Sequence, residues 1–249
     1  MMFRPALIAF TVIMSAGLLA AQQRPSRAVL RDNGRAALQR GQRERAVQEA
    51  DALLSHYPDD PVAWRFAGDL YLRGGELAKS IVQFERYIAA VPEHQAELWQ
   101  YGIALALAGK YDAGRKLFEL HRTVNPHDVE NALWHFYCVA KASTAEQARA
   151  SVLPAPGDRR VPMEQLLWLY RGVSQEAAVR AEVDKLPPQS NQYASARFYA
   201  DLYLAMHADA LGDRQQALEF AARAAAAKEV NYMTDVGRVS HSLLREAAP

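Results

Sequence analysis

PVAWRFAGDLYLRGGELAKSIVQFERYIAAVPEH, residues 61–94, is the stretch of sequence that decides the fold. Apolar residues recur at helical spacing up to Gly74-Gly75, which ends a first helix, and again up to Pro92, which ends a second. The small residues Gly68 and Ser80 allow the two helix backbones to approach closely. The stretch therefore predicts a helical hairpin.

The same pattern recurs on both sides of this hairpin at an interval of 34 residues. Three prolines and three glycines are each spaced by this interval: Pro58, Pro92, Pro126, Gly34, Gly68 and Gly102. We therefore divide the region into repeats at 27–60, 61–94 and 95–128. A single hairpin cannot bury its own apolar face, so the copies are expected to stack into a solenoid.

These repeats resemble the tetratricopeptide repeat. The residues that carry the resemblance stand in the family's order in the second copy: Trp64, Ala67, Gly68, Tyr71, Ser80, Phe84 and Pro92. The resemblance implies an all-α solenoid of stacked helical hairpins that binds other proteins. Position 27 of the repeat departs from the family, where it is usually small, because it holds Leu53, Tyr87 and His121. This departure suggests looser packing between the repeats.

The composition agrees with a helical protein and argues against some classes of function. Of the 249 residues, 46 are Ala, the residue with the highest helix propensity. Lys and Arg number 29 against 28 Asp and Glu, whereas a nucleic-acid-binding protein would normally show a basic excess. The single cysteine, Cys138, cannot form an internal disulfide, and its apolar neighbours predict a buried side chain.

Residues 1–21 are typical of a secretory signal peptide. Arg4 precedes an uninterrupted run of 14 apolar or small residues, 6–19, which is short for a bilayer span. We expect cleavage near Ala21 and an exported protein, periplasmic or secreted, with no stable membrane insertion after the signal is removed. An uncleaved N-terminal anchor is the alternative.

Beyond the signal, the sequence predicts two helical regions separated by the proline-rich break Pro154–Pro162. The predicted regions are a solenoid at 22–153 with a degenerate fourth repeat at 129–153, and a helical extension at 154–249 with a degenerate repeat hairpin at 198–231. Thr144 and Ser174 are predicted to cap helices. The amphipathic segment Tyr232–Glu246 is predicted to be a C-terminal helix that caps the solenoid.

The second half resembles the NlpI family of bacterial cell-envelope lipoproteins. The resemblance rests on a series of short motifs in a shared order: Ala132-Leu-Trp134, Trp168-Leu-Tyr-Arg-Gly-Val-Ser174, Phe198-Tyr199, Leu211-Gly-Asp213, Asn231-Tyr232-Met233 and Leu243-Leu244. It implies a homodimeric adaptor that brings peptidoglycan hydrolases to a processing protease. The chain departs from the family because no cysteine near residue 21 could carry a lipid. An envelope assembly factor unrelated to peptidoglycan turnover is the alternative.

The sequence contains no motif of a known catalytic site. The H-E-x-x-H zinc motif, the phosphate-binding glycine loop and the G-x-S-x-G nucleophile motif are all absent. His121, His127 and His135 form the only histidine cluster, and their positions in the repeats favour packing and turn roles over a shared metal. We therefore expect a non-enzymatic protein with no cofactor and no metal. An enzyme with an unrecognised site is the remaining alternative.

Partner binding is expected on the concave surface, which the first helix of each unit lines in tetratricopeptide proteins. Positions 2, 5, 9, 12 and 13 of each repeat point into the groove, and the residues predicted to bind a partner are among them: Arg31, Arg35, Arg65, Asp69, Arg73, Trp99 and Ile103. Four arginines in a chain of near-zero net charge would suit an acidic segment or a chain carboxylate. Two alternatives are open: the arginines form a solvated face, and Trp99 packs on the neighbouring unit.

Overall fold

The computed structural model describes residues 24–228 and 231–247. Its helices, together with a short 3₁₀-helix at Pro92–Glu97, are α1 Arg27–Gln39, α2 Arg43–His56, α3 Pro61–Gly74, α4 Leu77–Ala90, α5 Trp99–Leu107, α6 Tyr111–His121, α7 Val129–Ala142, α8 Ala145–Ala150, α9 Met163–Tyr170, α10 Glu176–Val183, α11 Asn191–Ala210, α12 Arg214–Ala225 and α13 Tyr232–Glu246. These two ranges contain no β-strand, so the fold is all-α. No helix within them is both long and apolar enough to cross a bilayer. The predicted signal segment, 1–21, lies outside the described residues.

The three predicted repeats form the helical hairpins α1–α2, α3–α4 and α5–α6, and each hairpin packs on the next. α3 illustrates how the sequence sets the helix ends. Asp60 caps the first turn by accepting a hydrogen bond from the Val62 N–H at 2.9 Å, and Pro61 needs no acceptor in that turn. Gly75 ends the helix in the left-handed region, at φ +93°, which glycine adopts without strain.

The small residues at the helix crossings are required by the packing. A β-carbon at Gly68 would lie 2.9 Å from the Phe84 ring, and one at Gly102 would lie 2.7 Å from the Phe118 ring. Ser80, on the opposing helix, donates from its hydroxyl to the Gly68 carbonyl at 2.8 Å. The helices therefore approach each other closely at these small residues.

Two helices begin later than the bounds of the third repeat and the predicted Ser174 cap indicate. The first helix of the third repeat begins only at Trp99, because Pro92–Glu97 forms a 3₁₀-helix instead of the first α-helical turn. α10 begins at Glu176, so Ser174 is not its cap, because the turn that ends α9 continues through residue 174. Thr144 caps α8 as predicted, since its hydroxyl accepts from the backbone N–H three residues on.

One continuous core joins the two predicted regions, because buried apolar residues from Leu72 to Val239 form a single cluster. α7 is the link between them and packs on α6, α9 and α11. Two side chains of α7 bind Asp209 of α11: the Tyr137 hydroxyl donates at 2.7 Å and the Lys141 ammonium at 3.1 Å. The proline-rich break therefore interrupts the helices but not the core.

Cys138 lies where α6 and α7 cross. Its side chain is fully buried, as its apolar neighbours predict, and a β-carbon at Gly114 would lie 3.0 Å from its sulfur. Burial raises the pKa of the thiol to about 12. The thiol therefore serves as a small packing group between the two helices.

The last helix does more than cover the end of the solenoid. α13 spans the predicted residues, and Asn231 and Thr234 form a capping box at its start. It packs on α12 and also on α3, in the first half of the chain. We name the surface presented by the first helices of the hairpins, α1, α3 and α5, together with α7, the inner face. α13 lies on part of this inner face.

Candidate binding surface on the inner face

The predicted groove residues all lie on α1, α3 and α5, but α13 distributes them among three environments. Arg31, Arg35 and Arg65 lie on the part of the inner face that α13 leaves open. Asp69 and Arg73 contact α13, and Trp99 and Ile103 line a cavity beside it. The repeat pattern places these residues on one face, and the position of α13 determines which of them are accessible to a partner.

The open part contains a cleft of about 240 Å³, which we name the arginine cleft. Arg35, Arg65, Phe66, Asp69 and Gln100 line it, with Phe84 and Leu98 at its base. In the described part of the chain neither Arg35 nor Arg65 forms a salt bridge, whereas the Asp69 carboxylate lies 3.5 Å from the Arg73 guanidinium. The cleft therefore carries two arginine charges without a carboxylate of their own.

Two arginines at the cleft, Arg65 and Arg31, contact aromatic rings. The Arg65 guanidinium lies 5.6 Å from the centre of the Tyr87 ring, and that of Arg31 lies 5.0 Å from the centre of the Phe66 ring. Arg31 also donates to its neighbour Asp32 at 2.8 Å, so its charge is partly compensated. Cation–π contacts of this kind orient a guanidinium while leaving its N–H edge free to bind a carboxylate.

Arg73 is buried, with 8% of its surface exposed, and binds α13. Its Nε and Nη2 donate to one carboxylate oxygen of Asp235 at 3.0 and 2.9 Å, and its guanidinium lies 4.9 Å from the centre of the Tyr232 ring. Burial alone would lower the pKa of Arg73, but the charges of Asp69 and Asp235 outweigh it and raise the pKa. Arg73 is therefore occupied by the chain's own C-terminal helix.

Trp99 and Ile103 face a cavity of about 240 Å³ beside α13. Trp99 is half-buried, and its ring meets the Tyr232 ring edge to face with the centres 4.8 Å apart. Ile103 is 1% exposed and belongs to the core. The aromatic partner of Trp99 thus comes from α13 and not from a neighbouring repeat.

Most residues of this cavity were not predicted as site residues, among them His121, Asn131 and Trp134. A signal was present for His121, because it occupies repeat position 27, where the family usually has a small residue. Instead of loosening the packing generally, this large polar side chain lies at one wall of the cavity. Asn131 gave no signal, and Trp134 belongs to the short motif Ala132-Leu-Trp134, which did not point to a binding role.

The segment Pro154–Pro162 is held against the start of α7 by Arg160. Its guanidinium binds three carboxylates, those of Asp158 at 2.6 Å, Asp128 at 2.9 Å and Glu130. A wider cavity of about 650 Å³ lies between this segment and α9, where Trp168 lines it. The proline-rich break is therefore an ordered part of the surface next to the inner face.

The histidines of the predicted cluster bind separate partners. The Nδ1 of His121 donates to the Ala96 carbonyl at 2.8 Å, and Nε2 of His135 lies 3.3 Å from the Glu119 carboxylate. His127 binds the Pro156 carbonyl at 2.7 Å. Within residues 24–228 and 231–247, no group of three or more His, Cys, Asp or Glu side chains is arranged to hold a metal ion.

Comparison with known proteins shows similarity in fold. No model of a known protein family matches the sequence, and no curated protein matches it either. Among solved structures, the chain is similar to a tetratricopeptide repeat protein from Parabacteroides merdae, with 18% identity and a TM-score of 0.50 over 88% of this chain and 84% of that one. A thermophilic tetratricopeptide protein of Thermus thermophilus has 15% identity and a TM-score of 0.45, over 86% of this chain and 98% of that one. The likeness to the Parabacteroides protein shows the helical-repeat solenoid.

Proposed function

We propose that the chain is a non-catalytic adaptor that binds an acidic segment of a partner protein in the arginine cleft. One observation carries the proposal: next to the cleft, an arginine of the inner face already binds a carboxylate of the chain's own C-terminal helix. There, Asp235 of α13 accepts two hydrogen bonds from Arg73. The guanidinium groups of Arg35 and Arg65 are available to bind a carboxylate of the partner in the same way.

The chemistry of the cleft suits such a segment. A guanidinium donates two parallel hydrogen bonds to a carboxylate, and charge-assisted bonds of this type are roughly twice as strong as neutral ones. Phe66 and the buried Leu98 provide apolar surface in the same cleft, and Gln100 adds an amide. An amphipathic helix with an acidic and an apolar residue on one side would use all three features.

Selection from short random peptides tests the proposal directly. Wild-type protein should enrich peptides that combine Asp or Glu with apolar residues. Arg35→Glu and Arg65→Glu should each weaken binding of an enriched peptide at least about tenfold, because the reversed charge repels a carboxylate. Binding should also weaken when NaCl is raised from about 0.1 to about 0.5 M, since salt screens accessible charges.

Arg197→Glu is the matched control, because Arg197 is an exposed arginine of α11 outside the cleft. It should leave peptide affinity unchanged. Selection of peptides without acidic residues, or equal losses in all three variants, would show that the arginine cleft is not the recognition site.

The adaptor is proposed to be exported, because residues 1–21 have the features of a signal peptide. A periplasmic reporter fused after residue 30 should be active, and the mature protein should begin near Gln22 in the soluble fraction. Recovery of the full-length chain in the membrane pellet would instead support an N-terminal anchor.

We further propose peptidoglycan hydrolases and a processing protease as partners, and a homodimer as the working state, on the basis of the motifs shared with the NlpI family. A hydrolase and a protease should then co-purify with the wild-type protein and be lost from Arg35→Glu. Sedimentation of the purified protein should give twice the mass of the mature chain. A monomer that captures neither enzyme would rule out this assignment while leaving the peptide-binding proposal intact.

A further inference from the structure

The first helical hairpin carries an excess of positive charge that the rest of the chain does not share. Residues 24–45 contain seven arginines and two acidic residues, Asp32 and Glu44, whereas residues 46–249 contain 21 basic and 26 acidic residues. The arginines lie just before, along and just after α1 and at the start of α2, and we name them the basic strip: Arg24, Arg27, Arg31, Arg35, Arg40, Arg43 and Arg45. The near-zero net charge of the chain therefore conceals two regions of opposite charge.

Salt bridges neutralise three of these seven arginines. The pairs are Arg27–Asp60, Arg31–Asp32 and Arg45–Glu49, with N–O distances of 2.6, 2.8 and 2.7 Å. The other four arginines form no salt bridge within residues 24–228 and 231–247, and neither does Glu44: they are Arg24, Arg35, Arg40 and Arg43. Four arginine charges against one carboxylate leave the basic strip with a net charge of +3.

The basic strip is accessible to a large surface, because α1 is the first helix that the structure describes. α1 packs on α2 and α3, and its outer side is open to solvent, where Val29 is 50% exposed. Arg24, Arg35 and Arg40 are exposed, and Arg43 is half-buried. A helix of 13 residues is about 20 Å long, so these charges extend from one end of α1 to the other. This distribution suits a surface with many negative charges better than one small anion.

We propose that the basic strip binds the surface of a lipid bilayer that contains anionic lipids. The position of the strip in the chain favours a bilayer over an acidic protein, because the apolar run 6–19 ends five residues before Arg24. Five residues span at most about 18 Å, so this run, when inserted in a bilayer, would hold α1 at the headgroups. Clusters of four to eight basic residues beside a membrane segment are typical of proteins that bind anionic lipids. After cleavage near Ala21, the strip would bind through charge alone, and salt would release the chain.

Sedimentation with vesicles measures the preference for anionic lipid. The full chain is mixed, in about 0.1 M NaCl, with vesicles of phosphatidylcholine alone or with about 30% phosphatidylglycerol. Each basic residue near an anionic bilayer strengthens binding about fivefold, so the anionic vesicles should be bound at least about tenfold more tightly. Raising NaCl to about 0.5 M should remove this preference, since salt screens the charges. Equal binding to both vesicles in about 0.1 M NaCl would assign binding to the apolar run 6–19 and overturn the proposal.

The double variant Arg24→Gln with Arg40→Gln removes two charges of the strip that form no salt bridge in the described part of the chain. It should weaken binding to the anionic vesicles about ten- to thirtyfold and leave binding to phosphatidylcholine unchanged. The matched control is Arg171→Gln with Arg197→Gln, two exposed arginines in the second half of the chain. This control should keep the wild-type affinity. An equal loss in both double variants would show that only the total charge of the chain matters, and would refute the proposed surface.

The same double variant separates membrane binding from peptide binding in the arginine cleft. Arg35 and Arg65, which line the cleft, are intact in Arg24→Gln with Arg40→Gln, so its affinity for an acidic peptide should equal that of the wild type. Loss of peptide affinity with unchanged vesicle binding would assign the strip to an acidic protein partner instead of a bilayer. Failure of the peptide selection leaves the vesicle result valid, because Arg24 and Arg40 do not line the cleft.

Discussion

Arg35 and Arg73 lie on the same inner face, yet one is exposed and the other is buried against α13. Both belong to first helices of repeat hairpins, and both were predicted as groove residues on the same grounds. The difference arises outside the repeats, because α13 covers α3 near Arg73 and leaves the α1 side open. Repeat position therefore determines the direction of a side chain, whereas tertiary contacts determine whether it is available to a partner.

The largest expected effect is the difference in stability between substitutions of Arg73 and of Arg35. Arg73→Ala leaves the Asp235 carboxylate buried without its main partner, and removing one member of a buried ion pair costs about 3 to 5 kcal/mol. Arg35→Ala should change the free energy of unfolding by less than about 0.5 kcal/mol, as is usual for exposed residues. Urea unfolding measures both. Similar midpoints for the two variants would show that α13 does not depend on Arg73 for its position.

A smaller effect on stability is expected from glycine-to-alanine substitutions, which compare the packing inside a hairpin with the packing of α13. Gly68→Ala places a β-carbon 2.9 Å from the Phe84 ring and should destabilise the protein by about 1 to 3 kcal/mol through overpacking. Gly237→Ala, on α13, meets Leu202 at 3.5 Å, an ordinary contact. Because Ala favours a helix over Gly, Gly237→Ala should stabilise by up to about 1 kcal/mol.

Thermal unfolding midpoints report the sign of each change. A lower midpoint for Gly237→Ala would mean that α13 packs more tightly against α11 than these distances indicate. An unchanged midpoint for Gly68→Ala would contradict the close approach of α3 and α4.

The smallest expected effect measures the contact between the inner face and α13 directly. The edge-to-face pair of Trp99 and Tyr232 should contribute a coupling energy of about 0.5 to 1.5 kcal/mol. A double-mutant cycle with Trp99→Ala, Tyr232→Ala and the double variant isolates this energy from the burial of each ring. A coupling energy of zero would place Tyr232 away from Trp99 in solution.

Local sequence signals were sufficient for most of the fold. The 34-residue interval identified the three hairpins, and the residues of α13 were predicted to their ends, because caps and apolar spacing act within one helix. The docking of α13 on α3 had no such signal. Asp235 is 162 residues from Arg73 along the chain, and neither residue differs from an ordinary surface charge in its own helix.

The two candidate sites also differ in how far the sequence predicted their residues. Arg35 and Arg65 were found because the repeat register places both on the inner face, where they line one cleft. The cavity beside α13 combines side chains of α5, α6, α7, α11 and α13, which are far apart in the sequence. Trp99 and Ile103 of that cavity were predicted from their repeat positions, and His121 departs from the repeat pattern, whereas Asn131 had no signal in the sequence.

The burial of Cys138 between α6 and α7 makes the fold indifferent to redox conditions. Burial raises the pKa of this thiol far above neutral pH, so almost none of it is ionised, and the thiolate is the form that attacks disulfides and oxidants. Glutathione would also need space beside a sulfur that already lies against the backbone of α6. The chain can therefore pass from a reducing to an oxidising compartment without acquiring a mixed disulfide, and its stability should be the same on both sides.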